Sequence, residues 1–228
     1  MAEAKGVLGV SRPTNLGTPS LADRAYHAIR EMIVSLDLRP GAVIDERVLM
    51  KRLGIGRTPT REALRRLAQE GLVDVYPRRG MFVTGVEMRD LASLAEVRSV
   101  LESHAARLAA ERATGEDRGA LAALLDELER GTDLDARELM ALDERIHRQV
   151  YSSAHNPFLE STLEEYYVLA LRIWYLALDQ ARELEQAVLG HRELLEAIRD
   201  GDADRAEDTM RRHVLEFEES MRRVLIGA

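Results

Sequence analysis

From Glu87 onward the chain repeats one pattern: apolar residues three and four apart, interrupted only by short polar or Gly-containing links. The links are Thr114-Gly-Glu, Gly131-Thr-Asp-Leu, His155-Asn-Pro157 and Gly201-Asp-Ala-Asp. This predicts helices over 88–113, 116–130, 134–153, 157–177, 180–200 and 202–226 and leaves room for little else. Links this short fold each helix back on its predecessor. Residues 85–228 are therefore expected to form an all-helical domain, an antiparallel bundle of six or seven helices.

The apolar seams of those helices carry polar interruptions. The seam of 180–200 runs Leu184, Val188, His191, Leu195, Ile198, and that of 202–226 runs Ala206, Met210, His213, Phe217, Met221, Val224. In 134–153 it is Leu139, Asp143, Ile146, His147, Val150, and in the first helix Leu91, Leu94, Arg98, Leu101, Ala105, Leu108. Asp143, His147, His191, His213 and Arg98 thus face inward, where an unpaired polar group is costly. They need partners, and one another are the nearest. One carboxylate and three imidazoles converging in a bundle make a divalent-metal site with open positions for water or a ligand. The same residues can equally be hydrogen-bonded core residues, and Asp143 and His147, four apart, can form a plain ion pair. Arg98 suits bidentate capture of a carboxylate, or a salt bridge to Glu102 inside the bundle.

Charge divides the chain. Residues 1–84 carry 14 Lys and Arg against 9 Asp and Glu, and residues 85–228 carry 18 against 31, within a net charge of −8. A basic front on an acidic body points to a polyanion met by the front alone. The absence of cysteine excludes disulfides and thiol chemistry. No apolar run approaches the roughly 18 residues of a membrane helix, and MAEAKGVLGVSRPTNLGTPS lacks the apolar stretch of a signal peptide. Residues 1–19 are expected to be a flexible tail, with the cytoplasm as the location and no membrane partner.

The front, residues 20–84, predicts three helices and a hairpin. Leu21, Ala25, Ile29, Ile33 and Leu36 keep helical spacing, and Arg39-Pro-Gly41 is the expected stop. Asp45 is a plausible N-cap for a second helix with Val48, Leu49 and Leu53 inward, closed by Gly54. In GRTPTREALRRLAQEGL, Thr58 is the expected N-cap, with Pro59 at the first helical position and Ala63, Leu64 and Leu67 as the stripe. Two helices joined by Gly54-Ile55-Gly56, the second rich in Arg, form a helix-turn-helix pattern. LVDVY and MFVT around Pro77-Arg-Arg-Gly80 add a wing. Arg57 and Arg61 stand where a helix end enters a major groove, and Arg79 and Gly80 at the wing tip stand to approach backbone or minor groove. Arg65 and Arg66 serve DNA as well, or pair with Glu62 and Glu70 on a solvated face.

The stretch LGIGRTPTREALRRLAQEGLVDVYPRRGMFV resembles the winged helix-turn-helix signature of the GntR family of bacterial transcription regulators. The resemblance implies DNA contact by Arg47, Arg57, Thr58, Arg61 and Gly80. Gly56 replaces the usual Ser or Thr and removes one phosphate-bonding hydroxyl. Thr60 replaces the usual Val, and its hydroxyl needs a partner. The back half is similar to the FCD-type effector domain of the FadR-like branch, also in EVRSVLESHAARLAA and HNPF. That likeness implies a divalent metal ion, zinc first with nickel or manganese as other candidates, held by Asp143, His147, His191 and His213. It also implies a small carboxylate metabolite as effector.

The expected molecule is mainly α, a homodimer that binds a near-palindromic double-stranded DNA operator, acts as a repressor, and answers to an organic acid at Arg98 and the metal. An alternative makes the metal itself the signal. A metalloenzyme is disfavoured because no inward Glu, Lys or Tyr is evident beside the site as general base, so no catalytic residue is assigned.

Overall fold

The computed structural model describes residues 19–86, 88–130, 134–176 and 181–226. All of the expected tail except Pro19 lies outside them. The front begins with α1 (Leu21–Val34), capped reciprocally by Ser20 and Asp23. It continues through β1 (Val43–Ile44), α2 (Glu46–Leu53), α3 (Arg57–Gln69), β2 (Val73–Tyr76) and β3 (Gly80–Val83). The strands form an antiparallel sheet in the order β1-β3-β2, with Val43 opposite Phe82 and Asp74 also opposite Phe82. Ile29, Ile33, Ala63, Leu64 and Leu67 close the core between α1 and α3, each larger side chain contributing about 1.5–3 kcal/mol by burial.

Several local expectations need correction. Helix α3 starts two residues early, with Gly56 as N-cap and no side-chain cap bond, so Thr58 lies inside the helix and is not the cap. Pro59 still falls in the first turn, where its missing N–H is no loss. Thr60 is fully buried, and its hydroxyl donates to the Gly56 carbonyl at 2.9 Å, which satisfies it. Helix α1 ends at Val34, before Arg39-Pro-Gly41, because Leu36 turns the chain at φ 61°. Val48 points outward and is 59 % exposed; only Leu49 of α2 is fully buried. Asp45 does cap α2, and Gly54 closes it in the left-handed conformation that favours glycine. At the wing tip, the Arg79 amide donates to the Tyr76 carbonyl across Pro77 and Arg78. Arg78 has φ 65°, a position where such turns usually carry Gly or Asn.

The back consists of α4 (Met88–Arg112), α5 (Gly115–Arg130), α6 (Ala136–Ser153), α7 (Pro157–Leu176), α8 (Ala181–Asp200) and α9 (Ala203–Ile226). These six helices form the bundle, with α4 lying along α9 and also touching α6, α7 and α8. None of the described helices is long and apolar enough to cross a membrane. The two parts meet where α1 packs on α7. There Arg30 reaches the Glu164 carboxylate at 3.7 Å, and Arg172 donates to the Thr84 carbonyl at 2.5 Å.

Candidate metal centre and nucleic-acid interface

Asp143 and His147 come from α6, His191 from α8 and His213 from α9. One donor atom from each lies within 4.8 Å of the others. Asp143, His147 and His191 are almost wholly buried, and His213 is partly exposed. Glu102 and Arg98 from α4 close the same chamber, with Tyr151 and Tyr167.

The proton of His191 can be assigned from its partner. His191 Nδ1 lies 3.1 Å from the Val188 carbonyl, which only accepts, so Nδ1 carries the proton. Burial drives the His191 pKa down to about 4, so the ring is neutral and its Nε2 is bare. His147 Nδ1 lies 3.2 Å from the Tyr151 hydroxyl and 2.9 Å from Glu102 Oε2. Glu102 Oε2 makes no aligned hydrogen bond among the described residues, so it acts on the ring by charge. His147 Nε2 lies 3.1 Å from His191 Nε2, which can only accept in that hydrogen bond. Asp143 takes a hydrogen bond from the Tyr167 hydroxyl on Oδ2 at 2.6 Å and leaves Oδ1 buried without a partner. Burial also pushes His213 well below the usual imidazole range, and neighbouring His191 adds to it. The bare His191 nitrogen, the His147 nitrogen facing it and the Asp143 oxygen that has no partner among the described residues converge, with His213, as a donor set that could hold a cation. The outer Nδ1 partners are the kind that orient metal-ligating histidines.

Arg98 is 3 % exposed and its Nε donates to Glu102 Oε1 at 2.5 Å, so the internal salt bridge is present. Burial penalises the Glu102 carboxylate, but Arg98 and then His147 outweigh this and hold its pKa at about 2. Among the described residues, the terminal nitrogens of Arg98 make no hydrogen bond, and the guanidinium lies between the rings of Tyr167 and Phe217 at 5.7 and 5.5 Å. A cleft of about 450 Å³ between α8 and α9 leads to His213 past Trp174, Thr209 and Phe217.

Glu102, Tyr151 and Tyr167 overturn the expectation that no inward Glu or Tyr stands beside the site. Glu102 and Tyr151 were legible as the residues four after Arg98 and His147; Tyr167 carried no local signal. None is a free base: Glu102 is tied to Arg98, and burial keeps both phenols protonated by raising their pKa well above the usual value.

At the other end, Arg47, Arg57, Thr58, Arg61, Arg79 and Gly80 are all exposed. Arg57 and Thr58 occupy the first turn of α3, and Arg79 and Gly80 the wing tip. Arg61 is not idle: its Nε donates to Glu46 on α2 at 2.9 Å. Arg66 does not pair with Glu62 or Glu70; it bonds Asp23 at 2.7 Å and stacks on Tyr26 at 4.0 Å, while Glu70 accepts from the Tyr26 hydroxyl.

Residues 21–83 match the family described as bacterial regulatory proteins, gntR family, and residues 93–216 match the FCD domain. An HTH-type transcriptional regulator in an unstable DNA locus of Streptomyces ambofaciens is 33% identical over 192 residues, 83% of this chain and 80% of its own. The HTH-type transcriptional repressor RspR of Escherichia coli K12 is 27% identical over 211 residues, 91% of each chain. Among solved structures, E. coli McbR/YncC has the same fold, with TM-score 0.78 at 23% identity over 90% of this chain and 98% of its own. With its winged helix-turn-helix and its helical FCD domain, the chain belongs to the GntR family of DNA-binding bacterial transcription regulators.

Proposed function

We propose that the protein is a cytoplasmic repressor whose hold on DNA is set by a small organic acid bound over a divalent metal ion. Residues 20–84 act as the DNA head and 85–228 as the effector body, with 1–19 as a tail. Arg57 and Arg61 read base edges in the major groove, Arg47 and Thr58 bind phosphates, and Arg79 and Gly80 bring the wing to the backbone. A homodimer presents two such heads to the half-sites of a near-palindromic operator. The repressor assignment draws on RspR, which is named as one.

The metal reading is supported by one observation: donor atoms of Asp143, His147, His191 and His213 lie within 4.8 Å of one another, with Asp143 Oδ1 unpartnered among the described residues. Asp143, His147, His191 and His213 would hold the ion, zinc being the first choice for nitrogen-rich ligation. When bound, the ion supplies a Lewis-acidic anchor for a carboxylate. Arg98 offers its free guanidinium edge to the same anion, and Glu102 fixes the other edge. The α8–α9 cleft gives a small acid a way in beside His213. Each ligand shifts the DNA heads only as far as it binds one helix arrangement better than another.

Elemental analysis of the purified protein and of His191→Ala tests the metal. Metal bound by the wild type and lost in the variant supports the site; none in the wild type, even after incubation with divalent ions, removes it. Fluorescence anisotropy on the promoter of the protein's own or a neighbouring operon tests the head. Arg57→Ala combined with Arg61→Ala should abolish specific binding. Operator affinity that follows zinc or nickel at fixed organic acid would make the metal the signal. Turnover of candidate acids would make the bundle an enzyme.

A further inference from the structure

We propose that α7 couples the metal centre to the DNA head, with Tyr167 and Arg172 as its two working ends. The inference rests on the metal reading above and concerns how that site is heard by the wing.

Helix α7 shows two different stripes. Leu163, Tyr167, Leu171 and Trp174 are buried and serve the bundle. Glu164, Val168 and Arg172, spaced four apart, serve the front: Glu164 meets Arg30, Val168 lines a cleft with Tyr26 and Leu72, and Arg172 meets Thr84. Tyr167 and Arg172 point about 140° apart and are separated by about 7.5 Å of helix rise. Tyr167 holds metal ligand Asp143 through its hydroxyl, and Arg172 holds the residue that follows the last wing strand. A continuous helix thus has one hydrogen bond on the ligand and one on the wing.

Arg172 has no evident role in stability. It is 2 % exposed, and among the described residues its only hydrogen bond goes to the Thr84 carbonyl and its Nε has no partner. Burial lowers the Arg172 pKa to about 10 against the pull of Asp74 on β2, and the side chain stays charged at neutral pH. An apolar residue of similar size would fill that place at less cost. The Thr84 hydroxyl across the same contact is also buried and, among the described residues, unpaired. A donor and an acceptor are both idle at one junction, so this register leaves the contact incompletely satisfied. A small slide or roll of α7 that paired them would give a second register, which is what a two-state coupling element needs. Occupation of the metal site loads Asp143, Tyr167 follows it, and Arg172 delivers the displacement to the end of β3.

Hydrogen exchange of the full-length protein, read at wing residues 72–84 with and without Zn²⁺, tests this. In the wild type, Zn²⁺ should change wing exchange by about 5-fold or more, the low end of ordinary coupling between sites. Arg172→Met should keep its zinc stoichiometry by elemental analysis and its melting transition, and lose that ratio. Arg172→Lys, which keeps the charge without the fork, should lose most of it. A purely structural role would shift exchange equally with and without Zn²⁺ and leave the ratio intact. If the wild type takes no Zn²⁺, the metal reading fails, and Tyr167→Phe becomes the perturbation at the same end. It should then move wing exchange with Arg172 in place and not in the Arg172→Met background. A ratio unchanged by Arg172→Met, or a wing deaf to both perturbations, overturns the proposal.

Discussion

The first turn of α3 and the middle of the bundle both gather polar side chains, and they do so in opposite ways. On α3, Arg57 is exposed and uncommitted among the described residues, and Arg61 leans on one surface carboxylate. In the bundle, Arg98, Glu102, His147, Asp143 and Tyr167 form an unbroken chain of contacts with almost no exposure. Surface charge is kept available for a partner that brings its own counter-charge. Interior charge must be matched within the protein, and what is left unmatched among the described residues, here Asp143 Oδ1, is where a ligand is to be sought.

The sharpest way to break that contrast is inside. Glu102→Gln leaves the Arg98 guanidinium buried against a neutral amide and should cost about 3–5 kcal/mol. That is on the order of 10 °C in melting temperature for a chain of this size. Arg98→Met together with Glu102→Leu should cost much less than the two single changes added, as a cycle of urea titrations will register.

Next come the exposed arginines. Arg57→Ala and Arg61→Ala should each weaken operator binding by roughly 5- to 150-fold while leaving the melting temperature within a degree or two. Anisotropy titrations at several salt concentrations would also show a shallower slope for whichever residue meets phosphate. Loss of stability without loss of operator affinity would reverse the comparison.

The third expected effect is on pH. In chelator-treated protein, His191 has a folded pKa of about 4 against an ordinary 6.5. Below pH 6.5 the unfolded chain takes up a proton that the folded chain refuses. Stability should therefore fall as pH drops from 6.5 to 4, by up to about 1.4 kcal/mol per pH unit, and this contribution levels off below 4. His213 acts in the same direction. A flat profile over that window would mean the imidazoles are not held neutral by burial.

The smallest effect tests the surface side. Glu46→Ala frees Arg61 from its only ion pair among the described residues and should tighten operator binding no more than a few-fold, mostly at low salt. Weaker binding would show that Glu46 instead aims Arg61.

Most of the bundle was legible because its helices are long and their seams regular: Asp143, His147, His191 and Arg98 fall on apolar stripes, and each is buried. His213 follows the same period but lies where the bundle opens to the α8–α9 cleft. Short-range features were harder to read. Strand β1 is two residues long and exists only by pairing with β3, a tertiary fact that no local pattern encodes. Gly56, not Thr58, is the cap because α3 begins at Arg57, two residues before the proline that marks a helix start in the sequence. Tyr167 and Arg172 are simply residues of an apolar-rich helix until the fold sets one against Asp143 and the other against Thr84.

The wing tip carries a lesson for anyone who would engineer this protein. Arg78 holds a left-handed backbone conformation that glycine would adopt at about 1 kcal/mol less. A screen for heat resistance would favour Arg78→Gly and, in doing so, strip a cation from the exposed tip of the wing. At that position selection for a tougher protein and selection for a better regulator pull apart, and the residue present in the chain is the one that toughness would discard.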